Sequence, residues 1–420
     1  MTSSVQSVSP ASSNESPQRA GRVNLRTPDV MEAVQAQVEG HYQSQIVDGL
    51  RRRGGELSVG SVTVRLAKQF GFCYGVERAI DLAYAARKVF SDKRLFILGE
   101  IIHNPEVNRQ IGELGIKNLL DEGGDVAVDT LTSDDVVIVP AFGTDVHTLE
   151  RIKARGCQIV DTTCGDVMSV WKRVRQYASD EMTSIIHGKA SHEETKATAS
   201  RATSKGKGHY LVVLTLDDTD YVCRYIEKGG DRTDFLDRFS GACSEGFDPD
   251  EHLKRVGVAN QTTMLRGETE EVQRRIAAAI QRRDGGSVGQ NFRFFDTICG
   301  ATQERQDALR EMLARKMDLL LVVGGYNSSN TSHLAEMGQE KLPTYFIRTA
   351  ARMESKTLIS HYDLHLKQEV QTSNWLPNKA LVVGVTAGAS CPNNLIEETL
   401  VRLFALHDIP YEAVLAAALA

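Results

Sequence analysis

The chain has 420 residues, 41% of them hydrophobic and 25% charged, with a formal net charge of −6 and seven cysteines. That length excludes a single small module, and the charge gives no reason to expect nucleic acid as a partner. No apolar run reaches a membrane span, and an odd cysteine count without a secretory leader speaks against a disulfide framework and for a reducing compartment.

Residues 1 to about 28 are rich in Ser, Pro, Asn and Gln and read as a disordered tail. Arg19, Arg22 and Arg26 among serines raise an organelle transit peptide, but Glu15, Asp29 and the lack of an amphipathic stripe weigh against it. A bacterial cytoplasmic location is therefore expected, with the plastid stroma as the alternative. Met31 to Arg53 reads as helix, ending on Arg51-Arg52-Arg53 before Gly54-Gly55 breaks it. From Val62 onward, strand-like runs at Val62–Leu66, Leu95–Leu98, Val136–Val139, Ser184–His187, Leu211–Leu214, Val256–Ala259, Leu319–Val323 and Leu381–Val385 alternate with helical patterns. That alternation is the mark of an α/β architecture with largely parallel sheets, whose ligands gather at the carboxyl ends of strands. The stretch from about Thr203 to Pro249, rich in Gly, Asp and Lys, reads as an elaboration on a middle domain.

Three cysteines share one setting. Cys73 in Phe70-Gly-Phe-Cys-Tyr-Gly-Val76, Cys164 in Asp161-Thr-Thr-Cys-Gly165 and Cys299 in Asp296-Thr-Ile-Cys-Gly300 each follow a strand-like run and open a helical one. A helix N-terminus favours a thiolate, so a lowered thiol pKa is expected there. Cys157, Cys223, Cys243 and Cys391 lack the motif and read as small buried residues, Cys391 least securely because it adjoins a candidate ligand loop.

No Walker A or G-x-G-x-x-G sequence opens a βαβ unit. Gly324-Gly325 followed by Tyr326-Asn327-Ser328-Ser329-Asn330-Thr331-Ser332 nevertheless offers more donors than one helix cap consumes, which favours an anion site. Thr386-Ala-Gly-Ala-Ser390 repeats the idea after another strand. His103 and His192 lie at strand ends, Glu194 follows as a candidate proton relay, and Asn260-Gln-Thr262-Thr263 places hydroxyls at a fourth strand end. Without C-x-x-C pairs a structural zinc site is disfavoured. An iron–sulfur cluster normally takes four cysteines; held by three it keeps one iron open to a substrate oxygen. A diphosphate pocket beside it suggests reduction of a phosphorylated, hydroxylated substrate.

The stretches Gly71–Val76, Glu100–Asn104, Asp161–Cys164, His192–Glu194, Asn260–Thr263, Thr297–Gln306, Asn327–Asn330 and Val385–Ser390 together resemble the hydroxymethylbutenyl diphosphate reductase family of the methylerythritol phosphate route to isoprenoids. The likeness runs from about Val62 to Phe404 and is nearest the cyanobacterial and plant branch. It implies three similar α/β domains in a pseudo-threefold arrangement around a [4Fe–4S] cluster held by Cys73, Cys164 and Cys299, with the fourth iron open. The expected limits are a partly disordered N-terminal extension at 1–58, domains at 59–161, 162–293 with an insertion near 203–249, and 294–410. His103, His192, Asn327, Ser328, Ser329, Asn330 and Ser390 would bind the diphosphate of an allylic substrate. Glu194 would pass protons to the departing hydroxyl and Thr262 would orient it, yielding isopentenyl and dimethylallyl diphosphate with electrons from a ferredoxin or flavodoxin type donor. No nucleic acid or membrane partner is expected. Two departures from the family pattern stand out: Phe142 where many members carry histidine, and Gly165 where many carry proline. A non-catalytic iron–sulfur or thiol redox sensor and a zinc-dependent hydrolase are the competing readings.

Overall fold

The computed structural model describes residues 25–120, 127–204, 206, 208–287, 289–377 and 379–420. Val136–Val139 and Leu319–Val323 are buried along their whole length, as central strands covered by helices on both faces must be. Each fully buried Val or Leu side chain there contributes roughly 1.5–3 kcal/mol relative to exposure.

The strands form three main sheets and one hairpin. The first sheet orders Ile116–Asn118, Leu95–Ile97, Val136–Val139 and Gln158–Asp161, all parallel. The second orders Phe292–Phe294, Val256–Asn260, Thr183–His187 and Tyr210–Val213, again all parallel. The third orders Glu56–Val59, Val62–Leu66, Leu381–Ala387, Leu319–Val323 and Thr344–Ile347, parallel except for the first pair. The separate hairpin joins Leu358–Asp363 to Gln368–Ser373.

The chain changes unit at each of the three motif cysteines. Val62–Leu66 lies in the third sheet, yet the helix that follows, Tyr74–Val89, packs Ala79, Ile80 and Ala83 onto Leu95, Ile97 and Val136 of the first. Gln158–Asp161 closes one edge of the first sheet, and its successor helix Gly165–Ser179 packs Val170, Val174 and Tyr177 with Ala259 of the second. Phe292–Phe294 edges the second sheet, and Gly300–Leu313 then packs Ala308, Leu309 and Met312 with Leu320 and Val322 of the third. Repeating this step three times brings the starts of the three helices together, giving the pseudo-threefold α/β arrangement.

Three expectations change. Val62–Leu66 was placed in a first domain beginning at 59, but it pairs in parallel with Leu381–Ala387, so that domain's sheet begins only after Cys73. The single helix from Met31 to Arg53 is two, Pro28–Tyr42 and Gln45–Arg52, because the Ser44 hydroxyl accepts the Val47 amide at 2.9 Å and restarts the helix. The segment near 203–249, expected to have few sustained apolar faces, supplies the strand Tyr210–Val213 and the helix Leu216–Lys228, and buries Phe235, Phe239 and Phe247 in the core of the second unit. Most of the expected N-terminal tail lies outside the described residues, while Leu25 is buried and Pro28 opens a helix. Among the described residues no helix is long and apolar enough to cross a membrane.

Candidate active site

Cys73, Cys164 and Cys299 are each the residue immediately before a helix, in extended conformation, with no side-chain capping bond. Each amide is held by the carbonyl of a loop at the end of a neighbouring strand: Cys73 N–H to Ala389 at 3.2 Å, Cys164 N–H to Ala141 at 2.8 Å, and Cys299 N–H to Thr262 at 3.2 Å. These three equivalent bonds knit the cysteine loops to the loops that carry Ser390, Phe142 and Thr262. All line one cavity.

The sulfurs approach one another closely enough to constrain their surroundings. A Cβ on Gly75 would fall 2.6 Å from Cys164 Sγ and 3.9 Å from Cys73 Sγ, so only glycine fits between them. Burial pushes the Cys164 thiol up and the Cys299 thiol up to about 12, the latter reinforced by the neighbouring Asp166 carboxylate. The expected lowering by the helix start is thus overridden by desolvation. Such thiols ionise when a cationic centre offsets the charge, which suits ligands better than free nucleophiles.

Opposite the sulfurs lies a wall of donors. The Glu194 amide donates to His192 Nδ1 at 3.2 Å, so the neutral ring carries its hydrogen on Nε2; burial depresses its pKa to about 3, keeping it neutral. His103 Nδ1 faces the Glu100 carboxylate at 3.0 Å, and the ring stacks on Phe142 with centroids 4.5 Å apart and planes 7° from parallel. Phe142 therefore supports His103 from the position where a further histidine was missing from the motif. Asn330 Oδ1 accepts the Ala389 amide at 2.9 Å, and the Ser390 hydroxyl donates to the His103 carbonyl at 3.1 Å. Ser328 opens the helix Ser329–Gln339, whose N-terminus thus points at the cavity. Among the described residues His103 Nε2, His192 Nε2 and Asn330 Nδ2 are buried without a hydrogen-bond partner. Each such group costs about 1–3 kcal/mol, and their gathering in one cavity marks a place for an anionic ligand.

Glu194 closes the third side. It is 3% exposed, and its two oxygens accept the Thr262 amide at 2.6 Å and the Thr262 hydroxyl at 3.1 Å. Burial pushes its pKa up to about 7, so the carboxyl holds a proton to deliver near neutrality.

The structure thus brings together Cys73, Cys164, Cys299, His103, His192, Glu194, Thr262, Ser328, Ser329, Asn330 and Ser390. Asn327 stands apart: it is outside the cavity lining and donates to Glu100 at 2.7 Å. Cys157, Cys223, Cys243 and Cys391 do not line the cavity either. Two residues were not foreseen. Asp166 reaches the cavity from the first turn of a helix, where an acidic residue ordinarily reads as a response to the helix dipole. Arg305, 3% exposed, donates to the Gly71 and Phe72 carbonyls at 2.6 and 3.0 Å, tying the Cys299 helix to the Cys73 loop; on sequence it is one charge on a helix.

The LytB protein family model matches residues 64–404. The chain belongs to the LytB protein family. Curated relatives include 4-hydroxy-3-methylbut-2-enyl diphosphate reductases from Gloeobacter violaceus, 48% identical over 383 residues and 90% of each chain, and from Nostoc sp., 46% identical over 375 residues, 89% of this chain and 92% of the relative. A solved structure of (E)-4-hydroxy-3-methyl-but-2-enyl diphosphate reductase is 26% identical with a TM-score of 0.51, covering 81% of this chain and 99% of its own. The corresponding enzyme from Plasmodium falciparum, 21% identical with a TM-score of 0.60 over 81% of this chain and 87% of its own, shares the fold.

LytB membership implies an iron–sulfur cluster, and the residues present fit one. Three thiols from three helix starts face one cavity, and Gly75 keeps the space between two of them clear. Among the described residues, the group of side chains close enough to grip a single ion, with ligand atoms within 4.8 Å of one another, is His103, His192 and Glu193.

Proposed function

We propose that the protein reductively dehydroxylates 4-hydroxy-3-methylbut-2-enyl diphosphate to isopentenyl and dimethylallyl diphosphate, the last step of the non-mevalonate isoprenoid route. The observation that carries the reading is the division of one cavity into three chemistries: three helix-start cysteines, a wall of unsatisfied donors, and a buried carboxyl paired with a threonine. Cys73, Cys164 and Cys299 would hold a [4Fe–4S] cluster with one iron lacking a cysteine; when bound it would supply Lewis acidity and relay two electrons from the donor, which with two protons replace the C–OH bond by C–H and release water.

The chain's own residues do the rest. The diphosphate would accept hydrogen bonds from His192 Nε2, Asn330 Nδ2 and the hydroxyls of Ser328, Ser329 and Ser390, with His103 beside them. This anchors the five-carbon unit so that its hydroxyl lies toward the sulfurs. Thr262 would orient that hydroxyl, and Glu194, bonded to Thr262, would deliver the proton that lets it leave as water. The apolar faces of Val76, Ile102 and Val167 at the same cavity exclude bulk water around the carbon skeleton. Asn327 is assigned an indirect part, holding Glu100 and through it His103.

On the same footing we propose an electron donor of ferredoxin or flavodoxin type, a cytoplasmic location, and domains that end near 161, 293 and 410, with Val62–Leu66 lent to the third. A redox sensor would have no use for the donor wall. Anaerobic purification, iron analysis and turnover of the diphosphate substrate with a chemical reductant test the whole reading. Bound iron, a broad visible absorption and both diphosphate products are expected; a folded, colourless, iron-free protein after reconstitution would sink it.

A further inference from the structure

Tyr74 is the first residue of the helix that follows Cys73, it is 54% exposed, and it is absent from the cavity lining although its neighbours Cys73 and Gly75 are present. Its hydroxyl lies 3.8 Å from Cys164 Sγ, where the thiol donates to it. The residue after the first cysteine thus reaches the second. The Tyr74 hydroxyl also lies 3.9 Å from where a Cβ on Gly165 would sit, an ordinary van der Waals distance.

From this geometry we infer that Tyr74 is a cover for Cys164 and a positioning residue for the metal centre, its ring closing the sulfur to solvent and its hydroxyl bonding to the ligated sulfur. The inference rests on the cluster reading above. In the metal-free chain Cys164 donates its S–H; once the sulfur is a ligand that hydrogen is gone, and the contact persists with the tyrosine hydroxyl as donor. Hydrogen bonds to ligand sulfurs withdraw charge and favour the reduced state, and shielding from solvent slows oxidative loss.

Tyr74→Phe and Tyr74→Ala separate the two roles, and each has a readout besides turnover. In the iron-free protein, iodoacetamide labelling of Cys164, followed by peptide mass analysis with Cys391 as internal control, is expected to rise several-fold in Tyr74→Ala and to stay near wild type in Tyr74→Phe. Unchanged labelling in Tyr74→Ala overturns the cover. In the reconstituted protein, Tyr74→Phe is expected to move the midpoint potential to a more negative value while bleaching in air no faster than wild type, and Tyr74→Ala to bleach several-fold faster. An unchanged potential in Tyr74→Phe overturns the hydroxyl's role. Labelling needs no iron, so a wild-type protein that takes up none refutes the cluster reading, while the cover stands or falls on the labelling result.

Discussion

The two sides of the cavity are held in opposite ways. On one, the cysteine loops are held mainly by backbone bonds: helix starts without side-chain caps, and three amide-to-carbonyl bonds. On the other, side chains are aimed by bonds of their own: Glu194 accepts from Thr262, His103 faces Glu100, and Asn330 accepts the Ala389 amide. The difference teaches that the sulfur side should respond to substitution in an all-or-none manner, because a sulfur is present in place or is not. The donor side should respond in degrees, because several groups share one ligand.

The largest effect expected is that of Cys299→Ser, which should abolish cluster binding and turnover, while Cys223→Ser, buried outside the cavity, should leave iron content unchanged; iron assays on the pair decide it. Equal effects would erase the distinction between motif and core cysteines. Next is Glu194→Gln, expected to keep iron content and substrate affinity but slow turnover on the order of 10²-fold. The same residue gives a stability signature. Its folded pKa, about 7, lies above the ordinary carboxyl value of 4.5, so its contribution to stability is complete below about 4.5 and is lost as pH rises through about 7. Denaturant midpoints of iron-free wild type and Glu194→Gln should therefore diverge in favour of the variant between pH 5 and pH 8. Asn330→Ala removes one donor to a charged ligand, worth about 1.5–3 kcal/mol, and should raise KM roughly ten- to a hundredfold with a smaller change in kcat. Asn327→Ala should do least, a rise in KM of no more than about threefold, since it stands outside the cavity and touches Glu100 and, at 3.5 Å, His103 Nδ1. Should Asn327→Ala match Asn330→Ala, the line drawn between lining and supporting residues is misplaced.

The sequence made the local steps legible and the long-range ones less so. A strand, a cysteine and a helix in succession can be read from hydrophobic period alone, and all three cysteines do sit at helix starts. Strand partners cannot be read that way: nothing in Val62, Val64 and Leu66 says that they pair with Leu381–Ala387. Thiol ionisation failed for a related reason, because the dipole is local and visible in sequence while burial depends on what other units bring. Asn327 and Asn330 look alike in their loop; only the helix beginning at Ser329 turns one inward and leaves the other outside. Arg305 gave no signal beyond its place in a quoted motif, since its partners are carbonyls far away in the chain.

The pairing of Val62–Leu66 with Leu381–Ala387 also bears on how the molecule is born. A strand made early in synthesis finds its sheet only when almost the whole chain has emerged, and closing so long a loop is entropically costly and slow. The loop leaving that strand carries Cys73, whose amide is held by Ala389, a residue made later still. The three-sulfur mount therefore cannot exist on a nascent chain, and any iron must arrive after translation is essentially finished. C-terminal truncations should consequently lose the metal altogether rather than bind it weakly.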